Sequence, residues 1–173
     1  TIDLINTAVE GTPMLRDPLE VGDCFADIVG PLGKPTHMDG LKSVCVVGGG
    51  TGNALAYPLA SGMHAHGVHT TMIEGFKNKD LVILEDEFRE NVDELYVVTD
   101  DGSYGEKMFT TQKLEELIQK GEKFDEIVAV GPPIMMKLVC QIAEKYNIPS
   151  VASLTAYMID GTGMCGGCRC KIG

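Results

Sequence analysis

Two groups of residues in this 173-residue chain have types and spacing suited to chemistry. The first is Gly48-Gly49-Gly50-Thr51-Gly52, which follows the apolar run Val44-Cys45-Val46-Val47 and opens a stretch with helical spacing. Glycine lets backbone approach a phosphate closely, and a helix N-terminus adds N–H donors and the positive end of the dipole. Four glycines in five residues carry a conformational cost that a plain turn does not require. The G-x-G-x-x-G pattern is absent: counted from Gly48 the third position is Asn53, and from Gly50 it is Leu55. The loop reads as a nucleotide-phosphate binder of a subtype other than the usual dehydrogenase loop. The bland alternative is a tight strand–helix turn that binds nothing.

Three further positions belong to the same argument. Glu74 closes the next apolar stretch, where an acid can hydrogen-bond a ribose 2′-hydroxyl and favour NAD over NADP. Lys77 and Lys79 follow, and either can meet a 2′-phosphate instead. Asp100-Asp101-Gly102-Ser103-Tyr104-Gly105 and Gly131-Pro132-Pro133 each follow an apolar run. Alone, each is ordinary turn chemistry. Together with the Gly48 loop they place Asp101, Gly102, Gly131 and Pro132 at the carboxyl ends of strands, where open parallel sheets bind ligands.

The second group is Asp160-Gly161-Thr162-Gly163-Met164-Cys165-Gly166-Gly167-Cys168-Arg169-Cys170. C-x-x-C lets two thiolates turn onto one metal, and the glycines leave N–H groups to donate to sulfur. Structural zinc wants a second Cys or His pair. No second C-x-x-C exists here, and the four histidines (37, 64, 66 and 69) are remote in sequence. A redox C-x-x-C opens a helix after a strand, which a run of glycines does not suit. An iron–sulfur cluster suits a Gly/Cys loop best, with zinc and plain thiols left open. The other cysteines, 24, 45 and 140, are scattered and read as small core residues.

The elements that must position these groups alternate. Strands are expected at 44–47, 68–73, 95–98, 127–130 and around 151. Helices are expected at about 52–66, with Leu55, Leu59 and Met63 on one face, and at 79–90, with Leu81, Leu84 and Phe88 buried. Two more are expected at 111–120, capped by Thr110 or Thr111, and at 133–146, with Pro133 in the first turn. This alternation predicts an α/β fold with a five-stranded parallel sheet. Residues 1–40 hold four prolines without helical period, and Leu4-Ile5 and Phe25 to Val29 are strand candidates. They read as part of a small β unit.

Charge and composition narrow the partners. Fourteen basic against 25 acidic side chains leave a net charge of −11. That argues against nucleic acid and anionic membrane surfaces. Residues 79–126 carry 15 acidic and 6 basic side chains, a net of −9, which reads as a solvated helical face or a patch for a basic partner. No apolar run approaches the length of a membrane span. The N-terminal residues lack a basic region followed by an apolar one, so the expected compartment is reducing cytoplasm.

Taken in order, Leu19–Asp23, Gly30–His37, Gly48–Pro58, Leu81–Phe88, Thr99–Gly105, Gly131–Met136 and above all Asp160–Arg169 resemble one family. It is the small, electron-transfer subunit of NADH-dependent reduced ferredoxin:NADP oxidoreductase, also described as a sulfide dehydrogenase subunit. It is similar to the electron-transfer subunit of dihydroorotate dehydrogenase. The resemblance implies a ferredoxin-reductase-like arrangement. A partial FAD-binding β-barrel would span 1–40, an NAD(P)-binding domain 41–155, and a C-terminal iron–sulfur loop 156–173. It implies electron flow between NAD(H) or NADP(H), FAD, a [2Fe-2S] cluster and a larger flavoprotein/iron–sulfur subunit, extending to electron bifurcation with ferredoxin and NADP. Gly30, Pro31, Leu32 and Gly33 would lie by the flavin. Gly48, Gly49, Gly50, Thr51, Gly52, Gly131 and Pro132 would hold the dinucleotide. Asp160, Cys165 and Cys168 would be cluster ligands, with the fourth either Cys170 or a residue beyond Gly173. The family's Ala-Pro after the glycine loop is here Ala54-Leu55. The other reading of the residues is a nucleotide-binding Rossmann-like module with a structural zinc tail.

Overall fold

The computed structural model describes residues 36–154 and 161–171. The first stretch lies within one unit, Thr36–Leu154, and the second lies outside it. Apolar runs bounded by turns form β1 (Ser43–Gly49), β2 (His69–Phe76), β3 (Glu94–Thr99), β5 (Glu126–Val130) and β6 (Ser150–Ser153). A short strand, β4 (Glu106–Lys107), joins β3 at Val98 and Thr99. All pairs are parallel, in the order β4-β3-β2-β1-β5-β6. The α/β class and the parallel sheet agree with the sequence reading, but among the described residues the sheet has six strands rather than five. Two adjacent charged residues show no apolar period, so nothing in the sequence marks β4. It is pinned by Lys113, whose buried ammonium donates to Glu106 Oε1 at 2.6 Å and lies 4.6 Å from the Tyr96 ring centroid.

Helices cover both faces. On one side α1 (Gly52–Ala65) and α2 (Glu85–Asn91) pack Ala56, Ala60, Met63 and Phe88 against Val44, Val46, Met72 and Val128. On the other, α3 (Thr110–Lys120) and α4 (Pro133–Lys145) pack Leu114, Leu117, Met136 and Val139 against Cys45, Val47, Ile73 and Ile127. Cys45 is fully buried, and desolvation, with Glu94 adding to it, pushes its thiol pKa far up. Cys24 lies outside the described residues.

Three helix expectations are corrected. In α1 the buried face is Gly52, Asn53, Ala56, Ala60 and Met63, while Leu55 is 58% exposed. Small residues win because the helix lies close over glycine-ended β1. The expected helix 79–90 is a 3-10 turn at Lys79–Leu81 followed by α2, with Leu84 at φ +61° between them. Phe88 is buried as expected, whereas Leu81 is half exposed. Neither Thr110 nor Thr111 caps α3. Phe109 holds the cap position, and its N–H donates to Gln112 Oε1 at 2.8 Å.

Residues 161–171 form turns, with Gly161, Gly163 and Gly166 at φ +70°, +86° and +63°. The barrel expectation falls almost wholly on residues 1–35, outside the described residues.

Candidate nucleotide site at the carboxyl ends of the strands

Strand order reverses at β1, with β2 on one side and β5 on the other. A parallel sheet opens a crevice there, beyond the strand ends. The glycines shape it by having no side chains. A Cβ on Gly52 would stand 2.5 Å from the Val130 carbonyl oxygen, and one on Gly131 would stand 3.0 Å from both N and O of Gly49. The loops after β1 and β5 therefore touch backbone to backbone. A Cβ on Gly49 would meet Met135 Sδ at 2.6 Å.

Gly50 turns at φ +55°, a conformation that favours glycine. Its N–H donates to the Gly75 carbonyl at 2.8 Å, and its own carbonyl accepts Asn53 Nδ2 at 3.0 Å. Thr51 follows at the start of α1, exposed. It makes no side-chain capping bond, and the first turn of α1 holds no acid. The N–H groups of Gly50, Asn53 and Ala54 already have backbone acceptors, so what that end offers an anion is the backbone of Thr51 and Gly52 and the positive end of the dipole.

Next to the loop lies a cavity of about 320 Å³. Gly49, Gly50, Gly75 and Pro132 form part of it; Phe76, Leu81, Phe109, Ile134 and Met135 give apolar walls; Lys77, Asp100 and Thr110 give polar points. Ile134, Phe109 and Leu81 are 65%, 58% and 50% exposed. Apolar walls with a few polar groups and a donor-rich edge suit a flat heteroaromatic ring joined to phosphates.

The structure sorts the expected residues. Gly49, Gly50 and Pro132 line the cavity, while Gly48, Gly52 and Gly131 act behind it by permitting close approach. Asp101 and Gly102 do not line it. The Asp101 carboxylate accepts the N–H and hydroxyl of Ser103 at 2.9 and 2.6 Å, and Gly102 turns at φ +78°. Asp100 is the member of that loop on the wall. Lys77 is on the wall, whereas Lys79 is not, its ammonium lying 5.6 Å from the Tyr104 ring centroid. Gly30, Pro31, Leu32 and Gly33 lie outside the described residues.

Glu74 departs from expectation. Strand alternation turns it with Met72 toward the α1 and α2 face, while Gly75 faces Thr110 of α3. It is fully buried, and among the described residues no donor reaches either carboxylate oxygen. Burial, reinforced by the nearby charge of Glu85, pushes its pKa up to about 8. Such a group does not present a carboxylate to a ribose in the cavity.

Phe76, Leu81, Phe109, Thr110, Ile134 and Met135 were not singled out as site residues. The available signal was large apolar residues at the end of β2 and at the starts of α3 and α4, whereas Leu81 was hidden by its place in an expected buried stripe.

In the tail, Cys165, Cys168 and Cys170 are exposed. The Gly167 N–H lies 3.4 Å from Cys165 Sγ. Among the described residues no three His, Cys, Asp or Glu side chains are gathered closely enough to hold a metal ion. Asp160, expected as a ligand beside Cys165 and Cys168, lies outside the described residues.

No family model matches the chain. A Thermotoga maritima homologue of the dihydroorotate dehydrogenase B (NAD(+)) electron transfer subunit is 42% identical over 151 residues, 87% of this chain and 53% of that protein. A solved NADH-dependent reduced ferredoxin-NADP oxidoreductase, described for flavin-based electron bifurcation, is 39% identical with a TM-score of 0.74. That match covers 86% of this chain and 53% of the other. The C-terminal domain of a Pyrococcus furiosus hydrogenase shares the fold at 24% identity and a TM-score of 0.59, over 72% of this chain and 100% of that domain. The chain spans about half the length of the curated relatives it matches. With its ferredoxin-reductase-like parallel sheet and its sequence likeness across nearly nine-tenths of its length, the chain is homologous to dihydroorotate dehydrogenase B electron transfer subunits and to a subunit of the NADH-dependent reduced ferredoxin-NADP oxidoreductase.

Proposed function

We propose that the chain is part of an oxidoreductase subunit that passes electrons between a pyridine nucleotide and a larger flavoprotein/iron–sulfur partner, by way of FAD and a [2Fe-2S] cluster. The single observation that carries this reading is the glycine-built crevice between β1 and β5, with its apolar cavity. Bare glycine at 49, 52 and 131 lets the loops after β1 and β5 close on each other, while a Cβ on Gly50 would meet nothing, which leaves the Gly50 turn as the open rim that a dinucleotide would meet. Its N–H edge suits a pyrophosphate. Gly50, Thr51 and the start of α1 would hold the phosphates, and Phe76, Phe109 and Ile134 would flank a ring. Lys77 and Asp100 would then decide between NAD(H) and NADP(H) by charge.

The tail fits an iron–sulfur cluster by its donor set. Three exposed thiols sit on a loop turned by left-handed glycines, and an N–H already points at one sulfur. Cys165, Cys168, Asp160 and Cys170 would be the ligands. Hard carboxylate and soft thiolate donors together would tune the potential. The flavin would lie by Gly30 to Gly33. When bound, these groups supply the hydride and single-electron chemistry, while the chain binds, orients and sets the field. The NADH-dependent reduced ferredoxin-NADP oxidoreductase couples ferredoxin by name, which supports ferredoxin as a further partner. No helix among the described residues is long and apolar enough to cross a membrane, in keeping with a cytoplasmic setting.

The test is iron, zinc and flavin content on protein purified without oxygen. About two irons per chain together with FAD are expected. Zinc in place of iron, with no flavin retained or taken up, would favour the nucleotide-binding module with a structural tail.

A further inference from the structure

Beneath the glycine loop, three buried side-chain oxygens lack a donor among the described residues: Oε1 and Oε2 of Glu74, and Oδ1 of Asn53. Both residues are fully buried. Glu74 is the cross-strand neighbour of Gly48, and a Cβ on Gly48 would lie only 1.8 Å from Asn53 Oδ1. Asn53 therefore lies over the strand position beside Glu74, on the same face of the sheet. Both connect to Gly50. Asn53 Nδ2 donates to the Gly50 carbonyl, and the Gly50 N–H donates to the carbonyl of Gly75, the residue after Glu74. A buried acceptor with no donor is costly, and a buried unpaired charge more so.

We propose that Glu74 and Asn53 form a proton-held lock under the glycine loop, in which neutral Glu74 keeps Gly50 in its nucleotide-receiving position and ionisation of Glu74 releases it. The proposal rests on the reading of this loop as a dinucleotide site. Glu74 is a positioning residue here, since it does not line the cavity. A proton on Glu74 turns one of three acceptors into a donor. The charged groups that face it are Glu85, Glu87 and Arg89, all on α2. The two acids oppose ionisation, and Arg89 offsets them only in part because it pairs with Glu85. From α1 the facing group is the neutral amide of Asn53. The strand partners Gly48 and Val97 carry no charge. These neighbours agree with the upward shift of the Glu74 carboxyl.

The experiment compares the full chain with Glu74→Gln, a neutral isostere, and with Glu74→Leu should the amide fold poorly. Amide NMR shifts of Gly50 and Asn53 are followed from pH 6 to pH 9.5 without nucleotide, and NADH affinity is measured over the same range. The wild-type shifts are expected to titrate with a midpoint near 8 and those of the variant to stay flat. NADH binding by the wild type should weaken about tenfold between pH 7 and pH 9, as one linked proton requires, and by the variant hardly at all. Shifts that titrate alike in both proteins, or in neither, overturn the lock. Shifts that titrate only in the wild type, with NADH not bound at any pH, uphold the lock and overturn the nucleotide reading.

Discussion

At the scale of single residues, the glycines divide by what a methyl group would meet. Gly50→Ala finds open space but a left-handed backbone, so its cost is conformational, about 1 kcal/mol. Gly52→Ala would drive a carbon into the Val130 carbonyl, and overpacking of that kind costs about 1–3 kcal/mol. Urea denaturation should therefore rank Gly52→Ala as the more damaging change, although both glycines stand two apart in one loop. Glu74 makes a second prediction. Its carboxyl is raised from about 4.5 to about 8 in the folded protein. The folded state then binds more protons than the unfolded one between those values, and stability falls as pH rises through that window. Glu74→Gln should melt at higher temperature than wild type at pH 8, and the gap should shrink as pH approaches 5. A gap that is constant with pH would mean that Glu74 is charged throughout. Sequence spacing located the glycine loop well. It did not show that Glu74 turns toward α1 and α2, because the period of a strand does not say which of its two helix-covered faces borders the cavity.

At the scale of elements, the sheet and its helices were legible because buried parallel strands read as short apolar runs. Two features were not. Strand β4 is Glu106–Lys107 alone, held by the buried Lys113 ammonium from another element, a long-range pairing that no local pattern encodes. Helix α1 buries Ala56 and Ala60 rather than Leu55, because the close approach over β1 selects for volume as well as hydrophobicity. This correction has a direct check by thermal denaturation. Ala60→Leu should cost about 1–3 kcal/mol through overpacking, and Leu55→Ala, at an exposed position, about 0.5 kcal/mol or less. The reverse ranking would restore the face expected from spacing.

At the scale of the whole molecule, the tail cysteines were legible as a motif, but their assembly is not. A ligand set that closes on a metal is brought together by the metal as well as by the fold, so spacing names donors without placing them. The nucleotide cavity has a clean probe at its rim. Ile134 is 65% exposed and lines the cavity, so Ile134→Glu should leave the melting temperature unchanged. Placing a negative charge on the ring-flanking wall of a site for an anionic ligand should weaken NADH binding about fivefold or more. The most direct test of the central claim is to add NADH, without oxygen, to protein carrying iron and supplied with FAD, and to follow the visible absorbance of flavin and cluster. The account predicts that NADH bleaches both, and that Ile134→Glu needs a higher NADH concentration for the same bleaching. An unchanged spectrum at saturating NADH and NADPH, in protein shown to hold both iron and flavin, would contradict it.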